Sequence, residues 1–217
     1  MATTLDLQEQ EQIDDLKAFW KRWGNLITWA VIAALAVFAG WNGWNWYQRE
    51  QAFKAGALYD ELERTVAGGD AERAGRVFND LRERHPIAVW AAHGGLLVAR
   101  LQHEKGKADE AAATLGWVAD KAKDDAVQAV ARLRLAGLHL DAKRPDAALE
   151  ALARVSAPGF EGLAADRRGD VLKSQGKTAE AVEAYRAAHK ALAESLDYRR
   201  VVEAKLTALG APPAATP

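Results

Sequence analysis

From Trp23 to Gln48 the chain carries no charged side chain, a run of 26 residues held between Lys21-Arg22 and Arg49. Few features restrict a fold as severely. In hydrocarbon every backbone N–H and C=O must find its partner within the segment, so a single run of this kind can only be a helix. As a helix the run would reach ~39 Å at ~1.5 Å per residue, more than the ~30 Å hydrocarbon thickness of a bilayer. Its most apolar part, Leu26 to Trp41, is interrupted only by Thr28 and is slightly short of that thickness. The polar ends therefore belong in the headgroup zone. Six of the eight tryptophans agree with this placement: Trp20 and Trp23 stand at one end, Trp41, Trp44 and Trp46 with Tyr47 at the other, and Trp29 between them. An aromatic ring with one polar group is satisfied on both counts at a membrane interface.

Two other readings compete. One is a buried core helix of a soluble protein, although such helices rarely carry aromatic belts at both ends. The other is a cleaved signal peptide, for which Val37-Phe38-Ala39 before Gly40 is a passable processing site. Against cleavage, the preceding segment is long and acidic (Asp6, Glu9, Glu11, Asp14, Asp15), and the uncharged run continues beyond Ala39. The reading adopted is an uncleaved anchor spanning 23–48, with 1–22 as an N-terminal tail. Lys17, Lys21 and Arg22 outweigh Arg49 and Lys54 by a small margin, which places the tail in the cytoplasm and sends the rest of the chain across. Ala36/Gly40 and Ala39/Gly43 are small pairs four apart that would let another helix approach.

Beyond the span the sequence repeats. Gly69-Asp-Ala-Glu-Arg-Ala74 aligns without gaps with Gly106-Lys-Ala-Asp-Glu-Ala111, Lys143-Arg-Pro-Asp-Ala-Ala148 and Gly176-Lys-Thr-Ala-Glu-Ala181. The alanines recur at spacings of 37, 37 and 33 residues. Four positions after each stands a bulky apolar residue: Phe78, Leu115, Leu152, Tyr185. One turn later come Leu81, Val118, Val155 and Ala188. This is the pattern of stacked helical hairpins. The Gly69/Gly106/Lys143/Gly176 column closes each first helix, where glycine adopts the left-handed conformation at least cost. Lys143 breaks the column, and Pro145 marks the following helix start. The small alanine permits close packing inside the hairpin, and the bulky residue fills the layer between repeats. First helices are expected over Val89–Lys105, Val127–Ala142 and Leu163–Gln175, with Ala99, Ala136 and Gly169 at the close contact. A helix near Gln51–Val66 would complete the first hairpin, and Pro86 would end that repeat. Leu192–Leu209 is expected to cap the stack, since a terminal apolar face otherwise has no neighbour. The repeat domain then covers 49–209, and 210–217, rich in Pro and Ala, is a disordered tail.

Residue chemistry narrows function by exclusion. Twenty-nine basic residues against 30 acidic ones give no basic excess of the sort a nucleic-acid binder uses to neutralise phosphates. Without cysteine there are no disulfides, zinc–cysteine sites or thiol catalysis. His85, His93, His103, His139 and His189 are scattered, with no pair three or four apart to hold a metal on one helix face. Gly106-Lys107 and Gly176-Lys177 lack the glycine-rich phosphate loop and read as repeat turns. Asp124-Asp125 suits a helix start, where carboxylates meet free N–H groups. Arg73, Arg76, Arg82 and Arg84 are interleaved with Glu72, Asp80 and Glu83, as on a solvated face. No catalytic, cofactor or metal site is expected, and the chain is read as a non-enzyme.

The period near 34 residues and the Gly–Ala–aromatic spacing resemble the tetratricopeptide repeat over about 51–192. Arg132 and Arg168 stand where that repeat usually has apolar residues. The fold class is thus all-α: one transmembrane helix followed by a tetratricopeptide-like solenoid. Together, the anchor preceded by Phe19-Trp20, Leu133-Arg-Leu-Ala136, Asp146-Ala-Ala-Leu149, Gly159-Phe160 and Ala165-Asp-Arg-Arg-Gly169-Asp170 resemble the YfgM family, ancillary subunits of the bacterial SecYEG translocon. The resemblance covers nearly the whole chain, but Trp41–Tyr47 and the Pro/Ala tail are outside its pattern. It implies an inner-membrane protein with a periplasmic repeat domain, working beside SecYEG with a PpiD-type periplasmic folding factor and secreted clients. Carrying over the tetratricopeptide groove positions gives His93, Leu96, Arg100 and His103, then Leu133, Gly137, Leu140 and Asp141, then Asp166, Asp170 and Lys173. A plain solvated inner face is the competing reading of these residues. A membrane-tethered regulatory or assembly adaptor for another envelope complex is the competing function.

Overall fold

The computed structural model describes residues 7–86, 89–193 and 197–212, with side chains from residue 12. All regular structure among them is helical: α1 Leu7–Ala67, α2 Ala71–Arg84, α3 Val89–Glu104, α4 Ala108–Lys121, α5 Asp125–Asp141, α6 Pro145–Ala153, α7 Glu161–Ser174, α8 Thr178–Ala191 and α9 Asp197–Ala208. The chain divides into two units, Met1–Gln51 and Ala52–Pro217.

In the first unit, the apolar side chains of α1 point outward. Leu26, Trp29, Val31, Ile32, Leu35, Val37, Phe38 and Trp41 are all exposed, unlike the apolar side chains of a core helix. A helix this long and apolar is suited to cross a membrane. Two of its polar side chains bond to the helix itself: Thr28 Oγ1 donates to the Gly24 carbonyl at 2.7 Å, and Asn42 Nδ2 to the Phe38 carbonyl at 3.1 Å. Local return bonds of this kind spare polar groups an unpaired stay in hydrocarbon.

The second unit is the solenoid. Each helix from α3 to α9 packs on its predecessor, and α5 also touches α3 and α7, so the first helices of successive hairpins line one face. Ala74, Ala111, Ala148 and Ala181 are completely buried, and Phe78, Leu115, Leu152 and Tyr185 nearly so. The edge of the Phe78 ring meets Trp117 at 5.5 Å between centroids. Gly95 makes room for this layer, since a Cβ there would lie 2.4 Å from Val118 Cγ2.

The turns follow one design. Gly69, Gly106 and Gly176 have φ near +71°, +76° and +76°, and Lys143 adopts the same left-handed geometry at +57°. Each closes its helix with paired backbone bonds; Lys143 N–H, for example, meets the Leu140 carbonyl and Arg144 N–H the His139 carbonyl. Lys143 therefore keeps the geometry of its column although it breaks the residue type. Gly210, at +72°, ends α9 in the same way. Asp124 accepts from the N–H groups of Ala126 and Val127 as an N-cap, and Pro145 opens α6.

Three features were not anticipated. The segment near Gln51–Val66 lies within α1 rather than forming a helix of its own. Leu192 is the C-cap of α8, and the last helix starts at Asp197. Helix α6 has only nine residues where α2, α4 and α8 have 14. Of the expected C-terminal tail, 213–217 lies outside the described residues.

Candidate functional site

The α3–α5–α7 face is where the sequence placed a binding groove. On α3, His93, Arg100 and His103 are exposed and Leu96 is half-buried against Ala92 and its neighbours. The stripe follows from their spacing of three and four residues. Arg100 Nε donates to Glu104 at 2.7 Å along the same helix. On α5, Asp141 is exposed, while Leu133, Gly137 and Leu140 are half-buried. A Cβ on Gly137 would meet nothing within 4 Å, so the surface is open there. Arg134 reaches across to the Leu96 carbonyl at 3.3 Å, tying α5 to α3. These two helices present a shallow band of apolar floor with His and Arg on one side and Asp on the other.

The third set of expected groove residues is placed differently. Asp166 is completely buried. It accepts from Tyr198 OH at 2.7 Å and from Lys205 Nζ at 2.8 and 2.9 Å, both from α9. Asp170 accepts from Lys205 at 2.7 Å and from Tyr185 OH at 2.8 Å. Asp166 and Asp170 therefore hold α9 in place and offer no free carboxylate to a partner; of the three, only Lys173 is exposed. Their surroundings shift the phenols: burial first, then the hydrogen bond to Asp166, pushes Tyr198 up to about 12. Tyr185 is raised as well, by burial and then by Asp170.

A second concave feature lies between α6, α7 and α8, with a volume of about 890 Å³. Leu149, Leu152, Val155, Ala164 and Ala184 form its floor, and Glu161, Arg168, Glu180 and Glu183 lie around it. It exists because α6 stops five residues short of its counterparts, leaving apolar parts of α7 and α8 uncovered. The Pro158-Gly159 pair after α6 was the sequence signal for this break. Arg168, one of the two residues out of place in the repeat pattern, belongs to this cleft. The other, Arg132, donates to the Arg154 and Ala119 carbonyls at 2.7 and 2.9 Å and to Gln128 at 2.9 Å. It thereby satisfies carbonyls at the ends of α4 and α6.

Among the described residues no group of three or more His, Asp and Glu could hold a metal ion. Two surface features stand out on the repeat unit: a band along α3 and α5, and an apolar cleft beside α6.

A family model described as a tetratricopeptide repeat-like domain matches residues 17–211. The chain is 30% identical over 207 residues to a Neisseria gonorrhoeae protein named ancillary SecYEG translocon subunit, covering 94% of this chain and 98% of that one. An Escherichia coli protein of the same name is 28% identical over 168 residues, covering 77% of this chain and 81% of its own. Among solved structures, MamA gives a TM-score of 0.51 at 21% identity, over 63% of this chain and 72% of that chain. A Podosopora anserina kinesin light chain with TPR-like repeats gives 0.53 at 15% identity, over 72% of this chain and 84% of that chain. The two structures speak to fold alone.

Proposed function

The chain belongs to the family of the ancillary SecYEG translocon subunits, built on a tetratricopeptide repeat-like domain, and from that premise we propose that it is a membrane-anchored, non-enzymatic interaction subunit of the translocon. The observation that carries this reading is the extent of the likeness: it runs through the apolar segment and the solenoid together, over 98% of the Neisseria relative. A span followed by a repeat domain confines a long interaction surface to the membrane plane and raises its local concentration beside a translocation exit.

In this reading the N-terminus is cytoplasmic and the solenoid periplasmic, as the basic residues at 17–22 favour. The band along α3 and α5 receives protein partners, with a PpiD-type folding factor and secreted clients as the expected ones. Handover of emerging chains to periplasmic chaperones is the role this arrangement serves. Co-purification from mildly solubilised membranes tests it. Recovery of SecY, SecE and SecG with the tagged chain is the expected result. Recovery of a different envelope complex without them would favour a tethered adaptor instead.

A further inference from the structure

Four large apolar side chains of the second unit are exposed among the described residues: Phe53 at 77%, Val89 at 65%, Trp90 at 39% and Val201 at 46%. Three of these four stand where α3 begins beside α1: Phe53 on α1, and Val89 and Trp90 in the first turn of α3. Trp90 packs on Tyr59 with centroids 5.0 Å apart and ring planes tilted by 41°, and its Nε1 lies 3.8 Å from a Cβ placed on Gly56. The start of α3 is thereby fixed against the turn of α1 that follows Phe53. Burial lowers the His85 pKa, and Arg84 and Lys54 lower it further, so two basic side chains stand at the same end. Among the other described residues of the solenoid, the large apolar groups are buried or half-buried, with Val201 the exception.

We propose that this end of the repeat domain, through Phe53, Val89 and Trp90, docks into the interface of the membrane that anchors the chain. The proposal rests on the anchor reading of 23–48. Phe53 stands five residues beyond Gln48, so whatever the backbone does it lies within ~18 Å of the end of the uncharged run. A bilayer surface is thus always within reach, and tethering makes the contact intramolecular. Trp and Phe flanked by Lys and Arg form the combination that settles at a headgroup boundary, the rings in the acyl margin and the cations toward phosphate. Isolated apolar residues on a soluble surface are ordinary. Three of four gathered at one end, with Phe53 five residues along the chain from the uncharged run, are not.

The chain has no cysteine, so single labels can be introduced cleanly. Full-length Val89→Cys and Val201→Cys chains, carrying a bimane label, would be reconstituted in phosphatidylethanolamine–phosphatidylglycerol vesicles. Each would be quenched in turn by doxyl lipid and by aqueous iodide, after alkaline washing to retain only anchored protein. The proposal expects doxyl quenching at 89 at least about twofold that at 201, falling when Phe53→Glu is added. Equal iodide quenching at both positions in protein that survives the wash would overturn it and leave the anchor standing. Loss of the protein in the wash would remove the anchor and the docking with it.

Discussion

Lys205 Nζ lies 2.8 Å from Asp166 Oδ1, joining α9 to α7 across 39 residues of sequence with the carboxylate fully buried. The same ammonium holds Asp170 at 2.7 Å and stands 5.3 Å from the Tyr185 ring centre. A buried pair adds little net stability relative to apolar groups of the same size, but removing one partner strands a charge. Lys205→Met should therefore cost about 3 kcal/mol by urea denaturation, near the lower end for such losses because Lys205 is a quarter exposed. Adding Asp166→Asn should restore part of that loss.

Two glycines on neighbouring first helices should respond with opposite signs. A Cβ on Gly169 would fall 2.5 Å from Tyr185 Cε1, whereas one on Gly137 meets nothing within 4 Å. Gly169→Ala is expected to destabilise by about 1–3 kcal/mol through forced repacking. Gly137→Ala should be neutral or stabilise by up to ~1 kcal/mol through helix propensity. Thermal unfolding of the two variants side by side checks both.

Lys143 carries a left-handed backbone that its counterparts assign to glycine. Lys143→Gly should stabilise the fold by about 0.5–1 kcal/mol, since relief of the Cβ contact exceeds the added freedom of the unfolded chain. The urea midpoint should rise with its slope unchanged.

Acid should weaken the fold through His85 and His139. Burial lowers His85, helped by Arg84 and Lys54; burial also lowers His139, helped by Arg144 and opposed by Glu150. A histidine depressed below 6.5 in the fold favours folding only while neutral. Its contribution is complete above the unfolded value of 6.5 and is lost as pH falls through the folded one. Urea midpoints measured from neutral pH downward should drop below about 6.5, and a His85→Gln/His139→Gln chain should drop less.

What could be read in advance divides along sequence distance. Ala74, Ala111, Ala148 and Ala181 and the bulky residues four places on declared their burial because helix periodicity is local. The turn glycines did so because few residues tolerate their conformation. Asp166 gave no such signal: its position on α7 suited an open face, and only α9, with Tyr198 and Lys205, turned it inward. Arg132 resembled a lapse in the pattern until the carbonyls of Ala119 and Arg154 were brought to its guanidinium. The cleft beside α6 depends on how early one helix ends, and helix ends are the part of a pattern least controlled by periodicity. On the proposed binding band along α3 and α5, Arg100 and Asp141 are the charges to reverse, because reversing Asp170 would disturb the support of α9.

In the proposed arrangement a transmembrane helix holds this solenoid beside the translocon on the periplasmic side. That arrangement is tested most directly in spheroplasts carrying a photoreactive residue at Trp46, by protease treatment and in-membrane crosslinking on the same sample. Digestion of the repeat domain from outside, with crosslinks to translocon subunits, is the predicted result. A protected domain with crosslinks to other membrane proteins would contradict both the orientation and the partnership.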